Sequence, residues 1–502
     1  MPGRLTLNAA PLSISDVVTV ARQGRVVDLG EAAGARLTAS RAIVEAATRD
    51  GQAHYGINTG FGSLSRQRVN EQDLRSLQKN LVRSHAAGIG EPLPEETVRA
   101  MLVLLAASLC RGHSGVRPVV AEQIVGMLNA GVTPVVPSVG SVGASGDLAP
   151  LAHAALVMIG EGEALVRGKA MSGGQALAGA GLKPLELEAK EGLALINGTH
   201  LMAAQGALLC HDFGRLFESA LVATAMSIDG CRATDAFLDH RVYVARNQPG
   251  PAHAAAEISR LLEGSQIIPA HRVNDPRVQD PYSLRCAPTV LGAAWDAAGY
   301  VKLAIERELG AVTDNPLIFR DAPSVVSAGN FHGMPLAIPL DTLAIAISHI
   351  AGISERRVFF MLSATDPQNP TRAYLSPQPG LHSGLMIAQY TAAAACNEIV
   401  GLCMPASVSN IPTSSGTEDY NSFGPRSAAK ARRALELARD VIAIELLCAA
   451  EAIEYQRPLR SGTRVEHTHT LIRSSVPRLT VDRPLSPDIA KIAAMIRESL
   501  SL

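Results

Sequence analysis

The sequence has few aromatic and few charged residues for its length, and these shortages argue against several classes of protein. Aromatic residues make up 4% of the 502 positions, with a single tryptophan, and charged residues make up 18%. The formal net charge is −1, so the chain lacks the basic surplus that is typical of nucleic-acid-binding proteins. With 47% hydrophobic residues and abundant alanine, the composition favours tightly packed helices over aromatic-rich sheets.

Signals for membranes, disulfides and metals are also scarce. No window of about 18 apolar residues is free of charge, and residues 1–5 lack the apolar stretch of a secretory signal, so no membrane partner is expected. The seven cysteines form no C-x-x-C pair and are expected to be reduced core residues of a cytoplasmic protein. Neither G-x-x-x-x-G-K nor H-E-x-x-H occurs, and His467-Thr468-His469 has no further ligands at usable spacing. We therefore expect no metal site.

The richest chemical signal is a run of small residues, Gly143-Ala144-Ser145-Gly146-Asp147-Leu148-Ala149-Pro150. Its glycines and small side chains let the backbone fold on itself without Cβ clashes. So compact a loop can bring the amide nitrogen of Gly146 onto the carbonyl carbon of Ala144 and close a five-membered ring. Loss of two waters, one of which takes the Ser145 hydroxyl, would leave an electrophilic methylidene group. The alternative interpretation is a glycine-rich turn that caps a helix beginning near Asp147.

Further segments place polar or aromatic residues in loops and at helix starts. They are residues 54–62 (HYGINTGFG), 84–85 (SH), 193–199 (LALINGT), 277–286 (RVQDPYSLRC), 327–333 (SAGNFHG) and 412–419 (PTSSGTED). Each has an ordinary structural interpretation, such as a surface loop, a helix cap, a surface ion pair or a core aromatic. Arg285 is nevertheless suited to a carboxylate, because guanidinium offers a planar bidentate fork. Tyr282, three residues earlier, would share a helical face with it.

In this order the segments resemble the aromatic amino acid ammonia-lyase family, which includes enzymes specific for histidine, phenylalanine and tyrosine. The resemblance covers nearly the whole chain and implies an amino acid as the small-molecule substrate. It implies that Ala144-Ser145-Gly146 becomes 4-methylidene-imidazol-5-one (MIO), formed autocatalytically, with no external cofactor. Such a group would activate the amine as a leaving group by covalent catalysis.

The resemblance also implies roles for individual residues. Tyr55 would be the catalytic base on a lid, and Asn197 would contact the substrate and help polarise the MIO carbonyl. Arg285 would hold the substrate carboxylate, with Gln279 beside it and with Tyr282 counted among the catalytic residues. To act as a base, Tyr55 needs either a pKa well below the usual value of about 10 or a relay that removes its proton.

Three residues are implied to surround the substrate ring: His85, Phe331 and Glu418. Histidine-specific members carry Ser-His and Glu at the matching places. A carboxylate can hold an imidazole N–H, whereas beside a phenyl ring it would be a charge without a partner. The prediction is therefore elimination of ammonia from L-histidine to give trans-urocanate. His200 and the segment Tyr420–Gly424 depart from the histidine-specific pattern, and both are expected to bear on the pocket wall.

Two alternatives remain open at the level of sequence. One is a tyrosine or phenylalanine ammonia-lyase, or a MIO aminomutase that re-adds the amine at the β-carbon. The other is a non-catalytic protein that kept the lyase fold as a scaffold. A non-catalytic protein would be expected to have lost residues that the reaction needs. Tyr55, Asn197, Arg285 and the Ala144-Ser145-Gly146 triplet are nevertheless all present.

Periodicity and resemblance together predict a mainly α protein. The clearest helix runs from Pro425 to Tyr455, where apolar residues recur every three or four positions. The resemblance implies a long central helical bundle of the fumarase/aspartase-like ammonia-lyase type with a C-terminal helical region over 196–502, after an N-terminal region, 1–195, that bears the lid and MIO loops. It also implies a homotetramer with active sites shared between subunits. We further expect helix N-termini to face the MIO loop, where their positive ends would stabilise negative charge.

Overall fold

Helices account for most of the computed structural model, which describes residues 3–273, 275, 277–367 and 369–500. The α-helices are α1 (Ile14–Gln23), α2 (Glu31–Arg49), α3 (Leu74–His85), α4 (Glu95–Leu109), α5 (Pro118–Ala130), α6 (Leu148–Met158), α7 (Gly173–Gly179), α8 (Glu191–Ile196), α9 (His200–Gly230), α10 (His240–Arg246), α11 (Pro249–Leu261), α12 (Ile267–Ala270), α13 (Tyr282–Arg285), α14 (Ala287–Glu308), α15 (Met334–Ser363), α16 (Met386–Leu402), α17 (Gly424–Glu454), α18 (Thr463–Ser475) and α19 (Ser486–Glu498). Single 3₁₀ turns lie at Gly62–Leu64, Glu71–Asp73, Ala236–Leu238, Ala373–Leu375 and Ser414–Gly416.

The strands are short and form small, separate sheets. They are β1 (Leu5–Leu7), β2 (Val27–Leu29), β3 (Ile89–Pro92), β4 (Val132–Pro134), β5 (Pro137–Val139), β6 (Glu163–Val166), β7 (Lys169–Ser172), β8 (Leu317–Phe319) and β9 (Ser324–Val326). The pair β1–β2 is parallel, whereas β3–β5, β8–β9 and the three-stranded β4-β6-β7 sheet are antiparallel. The prediction of a mainly α fold is confirmed.

The long helix α17 shows how sequence periodicity becomes a packed interior. Leu435, Ala438, Ile442 and Leu446 are all buried, and their spacing of three or four residues places them on one face. The helix spans Gly424–Glu454, within one residue at each end of the predicted range. Burial of such a face supplies most of the stability of a helix in a protein.

A buried ion pair fixes the packing around α17. The Glu445 carboxylate is fully buried and lies 2.5 Å from the Arg357 guanidinium of α15, which is also fully buried. The hydroxyls of Ser227 on α9 and Ser354 on α15 donate to the same carboxylate at 2.7 and 2.5 Å. These partners satisfy a charge that would otherwise be costly to bury.

The chain divides into two compact units. The first comprises Met1–His211, Lys302–Leu340 and Pro405–Ala429, and contains all nine strands of the described residues. The second comprises Asp212–Val301, Asp341–Met404 and Lys430–Leu502. The boundary at residue 195 between an N-terminal region and a helical bundle stays a prediction.

One helix, Met334–Ser363, is long and apolar enough to cross a membrane by length and composition alone. Core helices meet the same criterion, and 61% of the most apolar window of this helix is buried inside the protein. We therefore describe α15 as a core helix.

Candidate active site

A cavity of about 900 Å³ in the first unit collects most of the residues that the sequence predicts for the site. The predicted residues that line it are Tyr55, His85, Ala144, Ser145, Asn197, Phe331 and Glu418. Lining residues to which the prediction gave no role include Asn315, His332 and Ser414. Gly146 adjoins Ser145 but is buried behind the cavity surface.

Tyr55 lies on the loop that follows α2. The next residue, Gly56, has φ +74°, in the left-handed region that favours glycine, and a Cβ there would lie 2.5 Å from Leu193 Cδ2. The Gly62 N–H donates to Tyr55 Oη at 3.4 Å. Burial raises the pKa of the Tyr55 phenol and the nearby Glu418 adds to the rise, while the Gly62 hydrogen bond opposes it. The structure thus shifts this pKa away from the value that a base at neutral pH needs.

The loop that contains Ala144-Ser145-Gly146 is held by backbone contacts on several sides. Gly143 and Gly146 have φ of +66° and +72°, in the left-handed region that favours glycine. A Cβ on Gly146 would lie 2.1 Å from the carbonyl oxygen of Gly198, so the two backbones are in direct contact. The Asn197 amide Nδ2 donates to the Ser145 carbonyl oxygen at 2.7 Å. That oxygen would become the carbonyl of an MIO ring, so the residues present fit the group.

Four helices begin around this loop. α6 starts at Leu148, directly after it, and the first amides of α9, those of Leu201 and Met202, donate to the Asp147 carboxylate at 2.9 and 3.1 Å. Just before α15, the Gly333 N–H donates to the Gly143 carbonyl at 3.1 Å. Just before α17, the backbone N–H of residue 423 donates to the carbonyl of residue 142 at 2.9 Å. The expectation that helix N-termini face this loop is therefore confirmed.

Asp147 is fully buried between the loop and α9. Burial raises its pKa to about 7, although the amides of α9 and the Ser141 hydroxyl, which donates at 3.0 Å, oppose the rise. The Asp147 carboxyl group therefore ties the loop to the first amides of α9.

Glu418 and His85 each offer a hydrogen-bond acceptor at the cavity surface. Glu418 lies in a tight turn, where the Thr413 hydroxyl donates to Oε2 at 2.9 Å and the Ser145 hydroxyl donates to Oε1 at 3.2 Å. His85 ends α3, with Nδ1 2.9 Å from the Leu81 carbonyl oxygen. A carbonyl only accepts, so this contact favours the tautomer with hydrogen on Nδ1 and a lone pair on Nε2. Burial lowers the His85 pKa, which keeps the ring neutral.

Phe331 is placed by a loop that is anchored to Asn315. The Asn315 side chain accepts from the Ala328 N–H at 2.7 Å and donates to the Ser327 hydroxyl at 3.0 Å. The preceding residue, Asp314, forms a buried ion pair with Lys190 at 2.7 Å. These anchors could not be predicted from the sequence, because an Asn-Pro dipeptide by itself indicates only the end of a helix.

Gln279, Tyr282 and Arg285 form a cluster of their own in the second unit. Arg285 lies over the Tyr282 ring, 4.5 Å from its centroid, and donates to Gln279 Oε1 at 2.9 Å. Tyr282 and Arg285 begin and end α13, so they share a face as their spacing predicts. The Tyr282 side chain is 70% exposed, and none of the three lines the cavity described above.

His200 is not part of the cavity wall, which corrects the expectation from sequence. It begins α9, is buried, and lines a separate space of about 10 Å³ that Arg111 and Glu308 also line. Burial, with the positive charge of Arg111, lowers its pKa to about 3, so the ring is neutral. Tyr420, the other departure, does line the main cavity.

The model of the aromatic amino acid lyase family matches residues 12–474. The chain belongs to this family. A histidine ammonia-lyase from Anaeromyxobacter sp. (strain K) is 47% identical over 502 residues, covering 98% of each chain. The recognition of the aromatic amino acid lyase family from sequence motifs is therefore confirmed.

Solved structures of the aromatic amino acid lyase family agree in fold. A histidine ammonia-lyase from Trypanosoma cruzi is 38% identical, with a TM-score of 0.91 over 99% of this chain and 93% of that one. A tyrosine aminomutase from Streptomyces globisporus is 33% identical, with a TM-score of 0.93 over 99% of this chain and 97% of that one. Fold alone therefore does not discriminate among substrates or outcomes within the family.

Proposed function

We propose that this protein is a histidine ammonia-lyase, which eliminates ammonia from L-histidine without oxidation and releases trans-urocanate. The observation that carries the substrate assignment is the Glu418 carboxylate at the cavity surface, opposite the triplet. Its Oε1 accepts a hydrogen bond from the Ser145 hydroxyl, and that hydroxyl leaves as water when the triplet cyclises. The oxygen is then available for an imidazole N–H.

We assign the electrophile to an MIO group formed from Ala144, Ser145 and Gly146. When formed, the group supplies an electrophilic carbon that turns the amine into a better leaving group. Asn197 donates to the Ser145 carbonyl oxygen and so polarises it. The helix N-termini around the loop add positive potential where negative charge develops.

Tyr55 takes the β-proton of the substrate. Its raised pKa means that the phenol is protonated in the free protein at neutral pH, so its own proton must first leave by relay. The Gly62 N–H, which donates to Oη, stabilises the phenolate that remains. Glu418 accepts a hydrogen bond from the substrate imidazole N–H, and His85 and Phe331 lie against the ring, so the β-carbon is oriented towards the base.

The substrate carboxylate binds Arg285 of a second copy of this chain, with Gln279 and Tyr282 beside it. Two observations support a homotetramer with shared sites. In the cluster around Arg285, Gln279 and Tyr282 are exposed and Arg285 is half-buried. The second unit also has exposed large apolar side chains on its long helices, among them Phe359 and Tyr390. Exposed apolar surface of this kind is typical of association sites. We assign the assembly to the cytoplasm.

The shared site is tested by complementation. Tyr55→Phe and Arg285→Met are each expected to be inactive as homo-oligomers. Co-expressed, they should form mixed assemblies in which some sites combine an intact Tyr55 with an intact Arg285, so activity returns. Absence of recovered activity in mixed oligomers, isolated by two affinity tags, would argue against sites shared in this way.

The reaction is tested by incubating purified protein with L-histidine, L-phenylalanine and L-tyrosine in parallel, and following the ultraviolet absorbance of the unsaturated acids. We expect urocanate from histidine, and no turnover by Ser145→Ala. Cinnamate or coumarate instead would keep the MIO chemistry and overturn the substrate assignment. Full activity of Ser145→Ala would overturn the cofactor assignment.

A further inference from the structure

Gly198 is the residue that the Gly146 backbone meets most closely across the fold. The Asp147 N–H donates to the Gly198 carbonyl at 2.7 Å, and the Gly198 N–H donates to the Ser145 carbonyl at 3.4 Å. A Cβ on Gly146 would lie 2.1 Å from the Gly198 carbonyl oxygen and 2.6 Å from its Cα. Gly198 therefore lies directly against the Gly146 backbone.

Two side chains lie against Gly198. Gly198 has φ +127°, and a Cβ there would lie 2.7 Å from both the Thr313 hydroxyl oxygen and His200 Cε1. Both atoms are thus in close contact with the Gly198 backbone. We call Thr313 and His200 the Gly198 support.

The two members of the support are themselves held in place. Thr313 is buried, and its hydroxyl oxygen accepts from the Thr199 N–H at 3.2 Å, while the Thr199 hydroxyl donates to Glu308. His200 is fixed by α9, which it begins. Within the described residues neither ring nitrogen of His200 has a hydrogen-bond partner, so the ring acts on Gly198 through its shape.

We propose that the Gly198 support holds Gly198 against Gly146 and thereby presses the Gly146 amide nitrogen towards the Ala144 carbonyl carbon, so that the triplet cyclises. Thr313 and His200 are positioning residues in this role. In the step they serve, a bond forms between Gly146 N and Ala144 C. The Ala144 oxygen leaves as water with the amide hydrogens of Gly146 and Ser145. The Ser145 hydroxyl leaves as a second water with the Ser145 α-hydrogen.

This inference rests on the proposed function, because it presumes that the triplet cyclises. Its readout is the mass of the peptide that contains the triplet, which falls by two water molecules on cyclisation and does not depend on turnover. Full-length protein is harvested at intervals after induction, digested and analysed by mass spectrometry. The fraction of cyclised peptide gives the rate of ring formation.

The decisive variant is Thr313→Ala, which removes the hydroxyl and the methyl group behind Gly198. We expect ring formation about tenfold slower, because small displacements of reacting groups cost this much or more. Thr313→Ser keeps the hydroxyl and should cyclise like the wild type. Thr133→Ala is the matched control, since Thr133 is equally buried and its hydroxyl has no hydrogen-bond partner in the described part of the chain.

Each outcome decides a different point. If the wild-type peptide shows no loss of two waters, the proposed cofactor is wrong and the inference fails with it. If the wild type cyclises and folded Thr313→Ala cyclises at the same rate, the inference alone is overturned. The inference is also overturned if ring formation in Thr133→Ala is slowed as much as in Thr313→Ala. If circular dichroism shows that Thr313→Ala does not fold, the test uses two variants of His200 instead. His200→Ala is expected to form the ring more slowly than the wild type, and His200→Gln at nearly the wild-type rate. Ring formation in folded His200→Ala at the wild-type rate would overturn the inference.

Discussion

Replacing Glu418 by glutamine should change the choice of substrate more than the rate with any one substrate. In the turn that carries Glu418, the Thr413 hydroxyl holds Oε2 at 2.9 Å and leaves Oε1 facing the triplet. Glutamine has the same shape and still offers one acceptor oxygen, but it has no charge. The substrate imidazole would exchange a charge-assisted hydrogen bond for a neutral one.

The magnitude follows from the two kinds of hydrogen bond. A charge-assisted bond contributes about 1.5–3 kcal/mol and a neutral one about 0.5–1.5, so kcat/KM for histidine should fall by roughly tenfold. For phenylalanine, the wild-type carboxylate faces a ring without an N–H, at a cost of about 1–3 kcal/mol that glutamine largely removes. The ratio of kcat/KM for histidine to that for phenylalanine should therefore fall by roughly two orders of magnitude.

The assay is steady-state kinetics with both amino acids, on Glu418→Gln and on Glu163→Gln as control. Glu163 lies at the exposed start of β6 and does not line the cavity. Its substitution makes the same chemical change and should leave the selectivity ratio unchanged. A selectivity ratio in Glu418→Gln equal to that of the wild type would refute the role that we give to this carboxylate.

Three further predictions concern the base, the buried histidine and a buried ion pair. Tyr55→Phe should lower kcat for histidine by about 10²–10⁴ with little change in KM, measured by urocanate formation. His200 has a folded pKa of about 3 against about 6.5 when unfolded, so the unfolded state binds the extra proton and stability falls as pH drops through this window. Between pH 7 and pH 5 the wild type should lose about 2 kcal/mol more unfolding free energy than His200→Gln, measured by urea denaturation. Lys190→Met should cost about 3–5 kcal/mol because it leaves Asp314 buried without its cation, and Lys190→Met/Asp314→Leu should recover most of that loss.

Local signals in the sequence predicted a large part of the fold and of the cavity. The periodic apolar residues of α17 predicted its first and last residues to within one position, because a buried helical face repeats at every turn. The glycine-rich run at 143–146 indicated a compact loop, and the structure has positive φ at both of its glycines. Tyr55, Asn197 and Glu418 were found because each stands in a distinctive short motif.

Contacts between distant parts of the chain were not predictable in this way. Lys190 and Asp314 are 124 residues apart, and neither has a local pattern that indicates the other. The contact of Gly198 with Thr313 and the burial of His200 are equally non-local. The pKa of Tyr55 depends on burial, and that burial arises only in the folded chain. Residue type suggested a role for Arg285, but only the structure shows that it is not among the residues that line the cavity.

The most direct test of the account is a competition in one vessel. Purified protein is given equimolar L-histidine, L-phenylalanine and L-tyrosine, and the products and free ammonia are quantified by chromatography. The account predicts that urocanate is the main product and that ammonia is released in an equal amount. Cinnamate or coumarate as the main product, or a β-amino acid formed without matching ammonia, would contradict it.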